Sequence, residues 1–200
     1  MTLGRENFEA RYAANPDPWD FETSAYEHEK YERTLAALGG RHYGRAFEAG
    51  CSIGVFTAML AERCDELLAV DIAQAAVDAA AERLAALHHV RVERRTLPAE
   101  WPSGPFDLVV CSELLYYWDR ATLDEALGVI AASMAPGGRL VAVHYRPPSS
   151  IDPLIAPHAS KTSMRNWSLA SDATCPRGSR SRSTAWTTSP VSGSMLEGGR

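Results

Sequence analysis

Two short signals constrain the fold of this chain: a glycine turn after one apolar run, and an isolated acid after the next. Residues 47–54 read FEAGCSIG, in which Gly50 and Gly54 are four positions apart. Asp71 ends the following apolar run, LLAVD. A glycine turn after one strand and a carboxylate after the next are typical of an α/β sheet that holds a nucleoside. The two signals together predict a nucleoside-binding α/β protein.

Strand and helix patterns alternate along the middle of the chain. Short apolar runs predict strands, and apolar residues spaced three and four apart predict helices. Strands are predicted at 45–49, 67–71, 90–94, 106–111 and 139–144, and helices at 53–63, 73–86 and 121–134. This alternation predicts a parallel sheet flanked by helices.

Two further helices are predicted before the first strand. A short one over 7–14 ends at the prolines of NPDP, because proline lacks the amide donor and restrains the residue before it. The second covers 25–38, where Ser24 and Glu27 have the spacing of a capping box and a glycine pair follows the last turn.

The composition indicates one globular domain with an acidic balance. The 200 residues are 46% apolar and 22% charged, and the net charge of −5 leaves no basic footprint for nucleic acid. No apolar run has the length of a signal peptide or a membrane span, so we expect a cytoplasmic protein with no membrane partner. The four cysteines form no CxxC pair, which predicts free thiols and no metal site.

The turn lacks the marks of the common phosphate-binding loops. A dinucleotide fingerprint needs glycine at Ser52 and Val55, and a P-loop needs GK followed by Ser or Thr. A nicotinamide oxidoreductase is therefore disfavoured. Glu48 adds negative charge beside the turn, which suits a cofactor with amino and sulfonium groups such as S-adenosyl-L-methionine. Asp71 can accept both ribose hydroxyls, and Ile72 can face the adenine.

Simpler interpretations of the same residues stay open. The two glycines can mark a packing turn only, and Asp71 can be the N-cap of a helix that begins at Ala73.

Several segments resemble the motifs of class I S-adenosylmethionine-dependent methyltransferases. FEAGCSIG resembles the first motif, VD at 70–71 the acid of the second strand and TLPAEWP at 96–102 the adenine loop. The segments at 106–117 and 134–144 resemble the fourth and fifth strands. DPWDFETSAYEHEKYERTLAAL, together with GCSIG, resembles the nodulation protein S group, whose members N-methylate the deacetylated amino sugar of chitooligosaccharides. The resemblance covers about residues 8–147.

The resemblance implies a Rossmann-like cofactor domain at 41–147 under an N-terminal helical lid at 1–40. It also implies a small-molecule amine acceptor, such as a chitooligosaccharide-like amino sugar. Lys30 in the lid would meet the methionine carboxylate, although Lys30 can also be a solvated cation and Tyr31 a core residue. The cofactor-binding residues predicted in this way are Trp19, Lys30, Tyr31, Glu48, Gly50, Cys51, Ser52, Gly54, Asp71, Ile72, Thr96, Leu97 and Cys111.

Methyl transfer would take place beyond the ends of the fourth and fifth strands. His144 is the predicted general base, because its ordinary pKa of about 6.5 suits proton removal near neutrality. Glu113 would orient an ammonium or a hydroxyl, and Tyr116 or Tyr117 would stack on a sugar ring. Three alternatives stay open: a hydrogen-bonded structural histidine, transfer to oxygen or carbon, and a catalytically silent cofactor-binding protein.

The end of the chain departs from this pattern. Residues 149–200 hold twelve of the seventeen serines and show neither helical nor strand periodicity. We therefore predict an irregular or disordered tail over 148–200, without the last two strands of the fold, and an exposed fifth strand. The abrupt change in composition suggests a reading-frame change in a GC-rich gene.

Overall fold

A computed structural model describes residues 4–145, 167–174 and 187–189. Five helices and seven strands lie in this part of the chain. They are α1 (Arg5–Ala14), α2 (Ala25–Ala37), β1 (Tyr43–Ala49), α3 (Val55–Ala61), β2 (Cys64–Asp71), α4 (Gln74–Arg83), β3 (Val90–Arg94), β4 (Phe106–Ser112), α5 (Arg120–Ser133), β5 (Met134–Tyr145), β6 (Trp167–Thr174) and β7 (Thr187–Ser189), with a 3₁₀ turn at Leu115–Tyr117.

The strands form one sheet in the order β3-β2-β1-β4-β5-β6-β7. The first five are parallel, while β6 runs antiparallel to β5 and β7 antiparallel to β6. The predicted α/β fold with a parallel sheet is confirmed. Because the chain order reverses between β1 and β4, a crevice opens at their carboxyl ends, where ligands bind in sheets of this kind.

The apolar run of β4 is explained by burial on both faces of the sheet. Leu108 and Val110 pack in one core cluster, beside α3, and Val109 and Cys111 pack in the other, beside α5. Successive side chains of a strand point to opposite faces, so a central strand covered on both sides needs apolar residues at every position.

The structure contains the predicted helices and strands, and their bounds differ from the predicted ones by a few residues. β3 has the predicted bounds, and α2 ends one residue earlier than expected. β5 begins at Met134, five residues before the prediction, because MAPGG contains the strand-breaking residues proline and glycine and the register with β4 shifts there. No helix in the described part of the chain is long and apolar enough to cross a membrane.

The prediction that β5 is an exposed edge without later strands is wrong. β5 pairs with β6 from Arg139 to Tyr145, and β7 covers β6. The sequence of β6, WSLASDAT, alternates too weakly to be recognised, and its backbone bonds to a long neighbouring strand supply what the local pattern lacks. The rest of the predicted tail lies outside the described residues.

Candidate functional site

A pocket opens at the carboxyl ends of β1 and β4, under α2. It brings together six of the thirteen predicted cofactor residues and one predicted catalytic residue. Its lining consists of Phe21, Lys30, Tyr31, Glu48, Gly50, Cys51, Ser52, Ile53, Val55, Phe56, Ser112 and Glu113.

The turn after β1 is held open by three left-handed backbone positions. Gly50, Ser52 and Gly54 have φ values of +81°, +50° and +78°. The amides of Gly50 and Cys51 both donate to the carbonyl of Val70, at 2.8 and 2.9 Å. The turn is thereby tied to the end of β2, and its inner surface faces the pocket.

The two glycines of this turn serve different purposes. A Cβ on Gly50 would meet only the flexible Leu114 side chain, at 3.6 Å. A Cβ on Gly54 would lie 3.1 Å from the Cβ of Ala80 and 3.2 Å from its Cα. The packing interpretation therefore holds for Gly54, where α3 approaches α4, and not for Gly50, where the φ angle favours glycine.

The alternative interpretation of Asp71 as a helix N-cap is wrong, because Ala73 occupies the N-cap position of α4; Asp71 instead accepts backbone amides of the two neighbouring loops. Its Oδ2 accepts the amide of Ser52 at 2.9 Å, and its Oδ1 accepts the amide of Ala73, next to the start of α4, at 3.0 Å. Burial raises the pKa of the carboxyl, and the backbone N–H groups offset part of that rise. A carboxylate has about four acceptor positions, so these amides do not use all of them.

Helix α1 lies across the turn through contacts that the sequence pattern did not reveal. The Tyr12 hydroxyl is 2.5 Å from Ser52 Oγ, and the Tyr12 ring is buried. Glu9 Oε1 accepts the amide of Gln74 at 2.8 Å, which caps α4 from outside. The spacing of Phe8 and Tyr12 by four residues was the available signal for a docked aromatic face.

The same helix contacts two other loops at this edge of the sheet. Arg5 donates to Thr96 Oγ1 at 2.6 Å, after β3. Phe8 packs edge-on against Tyr117, after β4, with ring centroids 5.1 Å apart. α1 therefore contacts the segments that follow β1, β2, β3 and β4.

Lys30 is a buried ion-pair partner, so the solvated-cation alternative is wrong. Its side chain is 2% exposed, and its Nζ lies 2.6 Å from Glu27 Oε2 and 3.5 Å from Glu113 Oε1. The ring centroids of Tyr26 and Tyr31 are 5.7 and 5.8 Å from the same nitrogen. Two carboxylates and two aromatic faces thus hold one ammonium at the pocket wall.

This ion pair corrects the capping-box prediction. Ser24 Oγ accepts the amide of Glu27 at 3.4 Å, as expected. The amide of Ser24 donates to the carbonyl of Asp20 at 2.8 Å, and the Glu27 carboxylate turns to Lys30 instead. Only half of the reciprocal cap forms, because a buried ammonium attracts the carboxylate more strongly than an amide does.

Glu113 follows β4 in a strained backbone conformation. Its φ is +53°, and its amide donates to the carbonyl of Val143 at 2.8 Å. Its Oε1 lies 3.5 Å from Lys30 Nζ, and its charge adds to the effect of burial in raising the pKa of the Tyr116 hydroxyl. Non-glycine residues in the left-handed region cost about 1–3 kcal/mol and concentrate at functional sites.

The predicted base lies beside this group. The rings of Tyr116 and Tyr117 are 4.6 Å apart, and the His144 ring is 6.0 Å from Tyr116. Burial lowers the pKa of His144, and the charge of Glu113 offsets part of the change. Within the described residues, His144 Nδ1 has no hydrogen-bond partner. The imidazole is therefore neutral near pH 7 and has a nitrogen able to accept a proton.

Glu48 is a carboxyl group at the end of β1 that the protein hardly exposes to water. It is 3% exposed, and burial raises its pKa to about 8. The hydroxyl of Thr57 offsets part of that rise, while the charge of Asp71 adds to it.

The other predicted cofactor residues do not line this pocket. Trp19 packs against Tyr12, with ring centroids 5.6 Å apart, and Leu97 packs on the core cluster beside α5. Cys111 is fully buried in that core, and burial raises the pKa of its thiol to about 12. Its cofactor contact, like those of the other predicted cofactor residues, stays a prediction. Among the described side chains, no group of three or more His, Cys, Asp or Glu is arranged to hold a metal ion.

The sequence profile of the nodulation protein S family, NodS, matches residues 4–147. That range contains the turn, Asp71, helices α1 and α2 and the groups after β4 and β5. The chain belongs to the nodulation protein S family. The resemblance proposed from the N-terminal segment and GCSIG is confirmed.

The similarity to individual family members is moderate. Nodulation protein S of Rhizobium tropici is 32% identical over 133 residues, covering 66% of this chain and 56% of that protein. The protein of the same name from Bradyrhizobium diazoefficiens is 32% identical over 135 residues, covering 66% of this chain and 64% of that protein. The chain thus spans less than two thirds of the length of these relatives.

Solved structures agree with the fold. N-methyltransferase NodS from Bradyrhizobium japonicum WM9, in complex with S-adenosyl-L-homocysteine, aligns with a TM-score of 0.67 and 29% identity over 72% of this chain and 74% of that one. A Pseudomonas syringae protein assigned to the methyltransferases aligns with a TM-score of 0.57 and 42% identity, over 68% of this chain and 88% of that one.

Proposed function

We propose that this NodS-family chain transfers a methyl group from S-adenosyl-L-methionine to a small-molecule amine. The observation that carries the proposal is the turn at Gly50, which is tied to Asp71 and backed by the buried acid Glu48. An acid at this position disfavours a phosphate and suits a cationic ligand. The NodS N-methyltransferase complex with S-adenosyl-L-homocysteine, which has the same fold, supports the cofactor.

The cofactor would lie along the turn. Asp71 would accept the ribose hydroxyls with its remaining lone pairs, and Ile72, Thr96 and Leu97 would surround the adenine. Gly50 lets the backbone pass close to the ligand. At the methionine end, Lys30 would exchange one of its two carboxylate partners for the carboxylate of the ligand.

When bound, S-adenosyl-L-methionine supplies an electrophilic methyl group. The part of the protein is to hold the acceptor nitrogen in line, to exclude water and to take up a proton. His144 would accept that proton at Nδ1, because it is buried and neutral near pH 7. Glu113 would orient the amine before the transfer.

For the acceptor, we propose an amino sugar of an oligosaccharide. The paired rings of Tyr116 and Tyr117 offer an aromatic surface on which a sugar can stack, next to the Glu113 carboxylate. The two features together suit a ligand that is both a carbohydrate and an amine.

Titration calorimetry of the full chain with S-adenosyl-L-methionine tests the cofactor. We expect micromolar binding, weakened about tenfold or more, or about 1.4 kcal/mol, by Asp71→Ala. Glu66→Ala is the matched control, since Glu66 lies on the same strand with its side chain 73% exposed. Absence of binding by a folded chain would refute the proposal.

A methyl-transfer assay tests the acceptor. The panel contains deacetylated chitooligosaccharides, their fully acetylated counterparts and simple amines, with product mass and NMR as the readout. Transfer to the free amino sugar alone, and its loss in His144→Asn with cofactor affinity unchanged, would support the proposal. Methylation of the acetylated compounds would indicate oxygen transfer, and binding without turnover would indicate a silent cofactor-binding protein.

A further inference from the structure

Glu48 is the acid of the pocket for which hydrogen bonding does not compensate burial. Lys30 neutralises Glu27 and Glu113, and backbone amides hold Asp71. In the described part of the chain, by contrast, Glu48 Oε2 has no hydrogen-bond partner. An ionised carboxylate in such a place is costly, so the group is neutral unless a ligand supplies a positive charge.

The groups packed around Glu48 make its ionised form still less favourable. Asp71 raises the pKa of Glu48 through its charge, and Thr57 Oγ1, which is outside hydrogen-bonding geometry, offsets burial only in part. Lys30, the ammonium of the same pocket, already lies against two other carboxylates. The titratable groups that face Glu48 from the neighbouring elements are Tyr31 of α2, Cys51 of the turn, and Cys64 and Asp71 of β2.

We propose that cofactor binding ionises Glu48, which releases its proton to solvent when the positive charge of the cofactor is bound. The inference rests on the proposed function, since it concerns the same cofactor site. A cation beside the carboxyl favours its ionised form, and the ion pair supplies the partner that Oε2 lacks. The sulfonium and the ammonium of S-adenosyl-L-methionine are both suitable charges.

The coupling gives binding a definite pH dependence. At pH 6 the free protein holds the proton on Glu48, and binding has to remove it. Affinity therefore increases as the pH rises, by up to about tenfold per unit between pH 6 and 7.5, and levels off near pH 8.

Calorimetry at pH 7 in buffers of different ionisation enthalpy measures the proton directly. The slope of the observed binding enthalpy against the ionisation enthalpy of the buffer gives the number of protons exchanged. For the full wild-type chain we expect a release approaching one proton. Release with both S-adenosyl-L-methionine and S-adenosyl-L-homocysteine would identify the ammonium as the recognised charge, and release with the former alone would identify the sulfonium.

Glu48→Gln keeps the shape of the side chain and cannot ionise. We expect it to bind with no release from this site and with a flatter pH profile, whereas Glu62→Gln, an exposed matched control, should behave as wild type. Titration of the ligand itself is common to all three proteins and cancels in the comparison.

Two results would overturn the inference and leave the proposed function intact: binding by wild type without proton release, or undiminished release in Glu48→Gln. If the variant does not fold, the wild-type pH profile decides, since a flat affinity between pH 6 and 7.5 contradicts the coupling. Absence of binding by the folded wild type would instead refute the proposed function, and this inference with it.

Discussion

One side of the pocket is formed mainly by backbone atoms and the other mainly by side chains. On one side, backbone atoms make the surface: the amides of the Gly50 turn bond to the end of β2, and Asp71 accepts further amides. On the other side, side chains from distant parts of the chain meet, as Lys30 of α2 and Glu113 after β4 do. The first side depends on local conformation, whereas the second exists only when the whole fold is assembled.

This difference predicts where a substitution lowers the stability of the protein most. The side-chain surface consists of buried charges, and removing one member leaves its partner uncompensated in a medium of low dielectric. The backbone surface has its hydrogen bonds satisfied, so it responds mainly to changes in backbone conformation or in close packing. The predictions below follow from that contrast, in decreasing order of expected effect.

The largest effect is expected for Lys30→Met. Methionine fills a similar volume but leaves Glu27 and Glu113 without their buried cation, which typically costs about 3–5 kcal/mol. Urea denaturation at neutral pH measures the change in the free energy of unfolding.

Two comparisons make this prediction specific. Arg33→Met breaks the half-buried i,i+4 helix pair with Glu29 and should cost about 0.5 kcal/mol. The double variant Glu27→Gln, Lys30→Met should recover part of the lost stability, because it also removes one of the two buried carboxylates that Lys30→Met leaves without a cation. Equal losses in Lys30→Met and Arg33→Met would mean that the buried pair contributes nothing.

The next effect is a pH dependence of stability caused by Glu48. Its pKa is about 8 in the folded chain and 4.5 ordinarily, so between these values the folded state holds a proton that the unfolded state has lost. Glu48 therefore lowers stability as the pH rises from 5 to 8, by at most about 1.4 kcal/mol per unit. Glu48→Gln should become progressively more stable relative to wild type over that range. A constant difference between the two would show that Glu48 does not stay protonated.

The contrast also explains how much could be predicted from the sequence. The turn, Asp71 and the alternation of elements could be inferred, because each depends on a few neighbouring residues and on the period of the apolar pattern. Glu27 was interpreted as half of a capping box, since its alternative partner Lys30 is buried only by tertiary packing. Spacing alone does not distinguish a helix-surface pair from a buried one.

Two other features depended on distant partners as well. The docking of Tyr12 on Ser52 joins residues forty positions apart, which no local period reports. β6 is stabilised by its pairing with β5, and its own alternation is weak. In both cases the stabilising contact is absent from the segment that the pattern describes.

A glycine pair tests the backbone side of the pocket. Gly54→Ala puts a Cβ at φ +78° and 3.1 Å from Ala80, so we expect a loss of about 1–3 kcal/mol. Gly128→Ala lies in the exposed interior of α5 with open space around it, and should instead stabilise by about 0.5–1 kcal/mol. Thermal and urea unfolding measure both. A neutral Gly54→Ala would mean that the turn relaxes without disturbing the contact between α3 and α4.

The smallest effect tests how α1 is attached to the turn. Tyr12→Phe keeps the ring packed against Trp19 and Ile53 and removes the hydrogen bond to Ser52, which is worth about 0.5–1.5 kcal/mol. Tyr12→Ala also removes the buried ring and should cost about 3–5 kcal/mol. If urea unfolding shows equal losses, the hydroxyl is what anchors α1. If the phenylalanine variant loses only the smaller amount, apolar packing holds α1 over the turn and the hydroxyl fixes the orientation of Ser52. In that case α1 belongs with the side-chain surface, although the turn that it covers is made of backbone.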